Sequence, residues 1–328
     1  MPHPLRPLLP GLAPALDGLV TAAAWRGIEE LAARLPPVWS WAGFEVRLGA
    51  EESQVDFALY ALEVDGGRQA LAGWVRGGEE LPEGSSVQPL LEEWSRPEGG
   101  LADVPNLWLE YDFPDGIPRA PTIGLTFASG EGVSPLRLRT VSERALRSLP
   151  GRQDDSQGLD LLDQASRRLP PGARILHLGI LAPWRRQAMR LTALLPSAAA
   201  LRTWLEDIGR PPDPCVWEAG LELMGTAGGA FQIGLDLSAD GEPRLALDWP
   251  WLVSPAAEEI ARLAERGLCD PDKARVLRSW IGDELVRMPG TRWPLRIDRQ
   301  LGFKVVIGAG GRAEAKAYLA FRPRCVLF

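Results

Sequence analysis

Apolar and polar residues alternate in the last stretch of the chain, from Phe303 to Phe321, on both sides of a glycine-rich turn. Successive side chains of a β-strand point to opposite faces of the sheet. Lys316 and Tyr318 therefore share one face, and Lys304 lies on the polar face of the preceding strand. The pattern predicts a β-hairpin with one apolar face and one polar face.

Similar alternation and turn residues predict four earlier hairpins, centred near residues 55, 117, 184 and 240, before the last one near 312. Each clear strand again has one apolar and one mixed polar face. The additional predicted strands are Phe44–Leu48, Val55–Val64, Gln69–Val75, Asn106–Phe113, Thr122–Phe127, Arg174–Leu181, Gln187–Leu194, Phe231–Ser238 and Arg244–Trp249.

Helical periodicity fills most of the intervals between the hairpins. Ser197 and Ser254 stand where helix N-caps are expected, and Pro255 occupies the favoured first helical position. The predicted helices are Asp17–Leu35, Val87–Trp94, Ser142–Leu149, Gly158–Leu169, Ser197–Gly209, Ser254–Gly267 and Asp270–Met288.

Helices packed on the apolar sheet faces leave the polar faces of the strands uncovered. About ten strands approach the limit for a twisted open sheet, so curling with the helices outside places the polar faces in a lumen. We therefore predict an α+β fold: a ten-stranded antiparallel β-barrel inside a ring of helices, forming a single domain over residues 1–328. The pattern leaves open an α+β sheet that does not close, or two separate sheets.

Composition narrows the class of protein. The 328 residues are 45% apolar and 24% charged, as in ordinary globular proteins. A net charge of −7 argues against a general nucleic-acid binder, which needs a basic surface. No apolar run is long enough to span a membrane, and the proline-rich start is unlike a signal peptide. The three cysteines are far apart in the sequence, so we expect no disulfide framework and no zinc motif. This cysteine content is typical of a cytoplasmic protein.

Two histidines are too few for a histidine-rich metal site. His177 is either a hydrogen-bonded strand residue or a catalytic base. Trp108, Glu110 and Asp112 share one face of a strand, and Arg190 lies on the polar face of another. A carboxylate beside an aromatic acceptor can orient and deprotonate it. Several cations in the same pocket can stabilise a departing anion.

Five αββα-like units with ten antiparallel strands resemble the ABBA-type prenyltransferases, the PT-barrel enzymes. The closing segments 303–306 and 315–321 are similar to the last hairpin of the fungal indole prenyltransferases. The resemblance implies chemistry without a metal or other cofactor. Arginines and lysines hold a diphosphate, aromatic rings shield an allylic cation, and a carboxylate takes the proton of the acceptor.

By this resemblance Lys304, Lys316 and Tyr318 hold the diphosphate, and Glu110 anchors the N–H or O–H of the acceptor. Alternation alone adds further cations that face the lumen; they are Arg174, Arg190 and Arg244. Those barrels use many tyrosines, whereas this chain has three, and Tyr111 is expected to face outward. Trp108 is therefore predicted to replace part of the aromatic shield.

The patterns and the resemblance together leave three functions open, and the resemblance implies the first. The first is a prenyltransferase that moves an isoprenoid from an allylic diphosphate to an aromatic or peptide acceptor without a metal. The second is a non-catalytic barrel that binds ligands as an accessory protein of a natural-product pathway. The third is an unrelated α+β interaction protein.

In a lumen Lys316 needs a compensating charge, either a diphosphate or one of Glu110, Asp236 and Asp248.

Overall fold

The structure is a computed structural model of the chain. It describes residues 4–78, 81–82, 86–127, 132–150, 155–181, 189–224, 230–237, 245–248, 256–287, 294–308 and 312–325.

Eleven strands among these residues form one antiparallel sheet. They are β1 Trp41–Arg47, β2 Val55–Leu62, β3 Asn106–Asp112, β4 Thr122–Thr126, β5 Arg174–Ile180, β6 Met189–Leu195, β7 Phe231–Leu237, β8 Leu245–Asp248, β9 Gly282–Val286, β10 Leu295–Ile307 and β11 Ala313–Cys325.

The sheet closes on itself through ten of these strands. β1 to β8 pair in sequence order, β8 pairs with β10, β10 with β11, and β11 returns to β1. The closure confirms the predicted ten-stranded barrel, and the alternatives of an open sheet or two sheets are wrong. β9 lies outside the ring and pairs with the first half of β10, where Gly282 is opposite Arg299.

Ten α-helices occur in the described part of the chain, and several begin at side-chain caps. Ser197 accepts a hydrogen bond from the amide of Ala200, as the sequence predicted. None of these helices combines the length and apolarity that crossing a membrane requires. The helices are α1 Leu9–Leu12, α2 Ala22–Arg34, α3 Gly67–Arg76, α4 Gln88–Ser95, α5 Pro135–Arg147, α6 Ser156–Arg167, α7 Ala198–Asp207, α8 Pro214–Met224, α9 Ala257–Glu265 and α10 Pro271–Arg278.

The main core lies between the helices and the outer face of the barrel. At the seam where β1 meets β11, the Phe44 ring is 5.8 Å from Phe321, 5.3 Å from Phe57 and 6.4 Å from Trp280, measured between centroids. All four side chains are fully buried. Burial of each contributes about 1.5–3 kcal/mol, so this aromatic cluster stabilises the closure directly.

Two predicted elements are wrong. Gln69–Val75 was expected to be a strand but belongs to α3, whose buried residues Arg68, Leu71 and Ala72 recur at helical spacing. The helix predicted over Asp270–Met288 ends at Arg278. Gly282 has φ 149°, a conformation that other residues rarely adopt, and the chain continues as β9. The predicted N-cap and first-turn proline at 254 and 255 lie outside the described residues.

Candidate active site

The inward faces of the strands line one cavity of about 270 Å³. Because the strands pair in register, side chains from neighbouring strands form rows around the lumen. Three features meet in this cavity: an aromatic wall, a carboxylate on β3, and cations on β6 and β10.

The aromatic wall crosses β1, β2 and β3. Trp41, Tyr60 and Trp108 are successive cross-strand neighbours, and their ring centroids are 5.7 and 6.4 Å apart. The next position in the row is Gly124, where an added Cβ would lie 1.7 Å from Cε2 of Trp108. The Trp108 indole therefore lies over Gly124 and fills the space that a side chain would take there.

The same row continues to the opposite wall. Gly124 pairs with Gly179, and Gly179 pairs with Arg190. Gly179 leaves the lumen open between the indole of Trp108 and the guanidinium of Arg190. Arg190 donates to Asp236 on β7, from Nε to Oδ1 at 2.5 Å and from Nη2 to Oδ2 at 3.1 Å. Although burial opposes it, this carboxylate raises the pKa of Arg190.

Glu110 lies in the next row and lines the cavity beside the aromatic wall. One oxygen each from Glu45, Asp56 and Glu110 lies within 4.8 Å of the others, a spacing that suits a hard cation. Arg47 donates to Glu45 at 3.0 Å and to Asp56 at 2.9 Å. Lys316 donates to Glu45 at 2.8 Å. Two of the three carboxylates are therefore already held by protein cations.

The two carboxyls bound by Arg47 differ in protonation. Burial opposes ionisation of Glu45, but Lys316 and Arg47 hold its pKa well below the ordinary value. Burial, followed by the charge of Glu45, raises the pKa of Asp56 to about 8. At neutral pH Asp56 thus keeps its proton and Glu45 carries the negative charge.

Lys304 lines the cavity on β10. Its Nζ lies 2.8 Å from the hydroxyl of Tyr318 and 3.6 Å from Oδ1 of Asp248. Asp248 also accepts from Gln232 at 3.5 Å. Burial raises the pKa of Tyr318 well above its ordinary value, so the phenol is neutral. Lys316, Lys304 and Asp248 follow one another across β11, β10 and β8.

His177 lines the cavity on β5, and its Nδ1 lies 2.8 Å from the hydroxyl of Thr126. Burial and then the charge of Lys304 lower the pKa of His177 to about 4. The imidazole is therefore neutral at pH 7. The structure shows the hydrogen-bonded strand residue that the sequence predicted, and the alternative of a catalytic base stays a prediction.

The predicted site residues are only partly brought together. Trp108, Glu110, Arg190, Lys304 and Tyr318 line the cavity. Two other predicted residues have different positions. Lys316 forms ion pairs with Glu45 and Glu314 and is not among the residues that line the cavity. Arg174 begins β5, pairs in register with Leu194 and does not line the cavity. Arg244 lies outside the described residues.

The sequence analysis did not identify several lumen residues. Glu45 and Arg47 alternate with Phe44 and Val46 on β1, so the alternation used for the last hairpin also applied to them. The compensating charge of Lys316 was expected from a diphosphate or from one of three other carboxylates, and in the structure Glu45 supplies it. The remaining cavity residues that were missed include Trp41, Tyr60, Thr122, Thr126, Thr192 and Gln232.

No protein-family model matches the chain, and a search of the curated proteins found no match. Among solved structures, the chain is similar to the crystal structure of 6-dimethylallyltryptophan synthase from Micromonospora olivasterospora in complex with DMASPP and Trp. The TM-score is 0.54 at 15% sequence identity, and the match covers 96% of each chain. The chain therefore has the PT-barrel fold. At this identity the likeness extends to the fold alone.

Proposed function

We propose that this protein is a prenyltransferase. It transfers an isoprenoid group from an allylic diphosphate to an aromatic acceptor, free or within a peptide, inside the barrel. The observation that carries the proposal is the composition of the cavity. One cavity is lined by the aromatic wall of Trp41, Tyr60 and Trp108. Glu110 lies beside this wall, and the cations Lys304 and Arg190 line the same cavity. The similar fold of an enzyme solved with DMASPP and Trp supports the same reaction class.

In the proposed reaction the bond between the allylic carbon and the diphosphate oxygen breaks, and its electron pair leaves with the diphosphate. Lys304 and Arg190 stabilise that departing charge. The rings of Trp41 and Trp108 stabilise the allylic cation through their π-faces. The cation forms a carbon–carbon bond with the aromatic acceptor, and Glu110 takes the proton that the acceptor loses.

We further propose that the reaction needs no metal, because lysine and arginine supply the positive charge at the diphosphate. The test is to incubate the protein with dimethylallyl diphosphate and tryptophan, with EDTA or with added Mg²⁺. Mass spectrometry should detect tryptophan that carries one dimethylallyl group, and pyrophosphate should be released in equal amount. A product that forms only with Mg²⁺ would contradict the metal-independent reaction, and the Glu45, Asp56 and Glu110 carboxylates would then be candidate ligands of the ion.

Glu110→Gln tests the assignment of the base. The substitution keeps the size of the side chain but removes the proton acceptor, so turnover should fall by about 10²–10⁴-fold. Asp160→Asn is the matched control, because Asp160 is exposed on α6, away from the cavity. Unchanged turnover in Glu110→Gln would remove Glu110 from the reaction, whereas equal losses in both variants would indicate a folding defect.

A non-catalytic binding barrel is the second candidate, and the pairing of the lumen charges favours it. Arg190 is bound by Asp236 and Lys304 by Asp248, so their charges are already balanced. The cavity of about 270 Å³ is also near the lower end for ligand pockets and suits one small molecule. This candidate predicts that tryptophan quenches or shifts the protein fluorescence while no prenylated product forms with dimethylallyl diphosphate.

A further inference from the structure

Asp248 is a lumen carboxylate that is held loosely, by one distant cation and one long hydrogen bond. It is 8% exposed and lies between Lys304 and Gln232 in the register of β10, β8 and β7. Its Oδ1 is 3.6 Å from Nζ of Lys304, and within the described part of the chain that oxygen accepts no hydrogen bond. Its second oxygen has a long contact of 3.5 Å with Gln232.

Asp236 and Glu45 are held more firmly. Asp236 accepts two hydrogen bonds from Arg190, at 2.5 and 3.1 Å. Glu45 accepts from both Arg47 and Lys316, at 3.0 and 2.8 Å. Asp248 therefore balances the charge of Lys304 but contributes little directional bonding to it. A ligand with better oxygen acceptors can replace it there.

We propose that Asp248 is an exchangeable counter-ion, which balances Lys304 in the empty barrel and takes up a proton when a diphosphate binds there. This inference rests on the proposed function, because it assumes that Lys304 receives the diphosphate. The geometry supplies the reason. A diphosphate that reaches Lys304 also lies within a few ångströms of Asp248, and two like charges at such a distance in a buried site favour protonation of one of them.

The groups around Asp248 support this assignment. Burial already raises the pKa of this carboxyl, and the charge of Glu45 on β1 acts in the same direction. Lys304 on β10, Arg190 on β6 and the amide of Gln232 on β7 act in the opposite direction. A diphosphate weakens the effect of Lys304 on Asp248, because the diphosphate oxygens become the nearest anions of that lysine. The proton then comes from solvent and binds to a carboxylate oxygen.

Proton uptake makes the affinity depend on pH. When one extra proton is bound with the ligand, the dissociation constant rises by about tenfold for each unit of increasing pH, in the range where Asp248 is ionised in the free protein. Replacing Asp248 by Asn removes the titrating group and the repulsion together. The variant should therefore bind pyrophosphate more tightly than the native protein at pH 8.

The experiment is calorimetric titration of the full chain with inorganic pyrophosphate at pH 8, without divalent cations. Two buffers of different ionisation enthalpy give the number of protons taken up. The native protein should take up about one proton more than Asp248→Asn, because the protonation of pyrophosphate itself contributes equally to both. Asp160→Asn, an exposed carboxylate on α6, should behave as the native protein does.

Equal proton uptake by the native protein and Asp248→Asn would overturn the inference and leave the proposed function intact. Failure of the native protein to bind pyrophosphate would overturn both. If Asp248→Asn does not fold, as judged by circular dichroism, Asp248→Ser gives the same comparison, since it also lacks a carboxyl.

Discussion

Replacing Asp56 by Asn should remove a pH dependence of stability that this carboxyl gives the native barrel. Asp56 is 1% exposed, and burial followed by the charge of Glu45 raises its pKa to about 8. In the unfolded chain its pKa is about 3.9. At a pH between these two pKa values, Asp56 is protonated in the folded protein and ionised in the unfolded chain, so the folded protein binds more protons. The free energy of unfolding must therefore decrease as the pH rises.

The size of the effect follows from the two pKa values. A carboxyl that is protonated in the folded state and ionised in the unfolded state changes the free energy of unfolding by about 1.4 kcal/mol per pH unit. Between pH 5 and pH 7 the loss from Asp56 is about 2.7 kcal/mol. For 328 residues the unfolding entropy is about 0.7 kcal/mol/K, so the loss corresponds to about 4 °C in Tm.

His177 acts in the opposite direction in part of this range. Its pKa is about 4 in the folded protein and about 6.5 in the unfolded chain, so its contribution to stability increases from pH 4 to pH 6.5. The native curve alone therefore shows only part of the Asp56 effect. His177 is present in both proteins, and its contribution cancels in the difference between native protein and Asp56→Asn.

The assay is urea unfolding, or Tm by circular dichroism, of both proteins at pH 5, 6 and 7. The stability of the native protein relative to Asp56→Asn should fall by about 1.4 kcal/mol with each unit. Asp160→Asn is the control and should run parallel to the native protein. Parallel curves for Asp56→Asn would show that Asp56 is ionised in the folded barrel, contrary to the burial argument.

Two further substitutions test the packing and charge of the lumen. Gly124→Ala places a Cβ 1.7 Å from the Trp108 ring, so the indole must move. We expect a loss of about 1–3 kcal/mol in urea unfolding and altered tryptophan fluorescence, whereas Gly73→Ala, at an open helix position, should not destabilise. Lys316→Ala removes one of the two cations that donate hydrogen bonds to Glu45 and should lose about 3 kcal/mol. Unchanged stability would show that the pair of Lys316 and Glu45 makes no net contribution to the free energy of unfolding.

The fold was predictable because every strand of the ring alternates between a helix-covered face and a lumen face. Phe303 and Phe321 are buried on the outside, while Lys304 and Tyr318 line the cavity, as their alternation required. The sequence did not predict α3, because a short apolar stretch suits a strand as well as a helix. Its identity depends on the buried positions of Arg68 and its neighbours against other helices.

The ion pairs of the lumen could not be predicted from the sequence. The bond between Lys316 and Glu45 joins residues 271 positions apart, and it exists only because β11 pairs with β1 in one particular register. A shift of that register by one residue would turn Glu45 to the outer face. Strand alternation therefore gives the face of each charged residue, while barrel closure decides which charges meet.

These partners change the roles assigned to the two lysines of the closing hairpin. A diphosphate at Lys316 must compete with Glu45, a carboxylate that is ionised and held at 2.8 Å. At Lys304 it competes with Asp248, which lies at 3.6 Å and whose pKa burial already raises. Lys304, the loosely held lysine, lines the cavity, whereas Lys316 is not among the lining residues. Diphosphate binding should therefore depend on Lys304, and a lysine–tyrosine pattern on the last strand does not by itself indicate a diphosphate site.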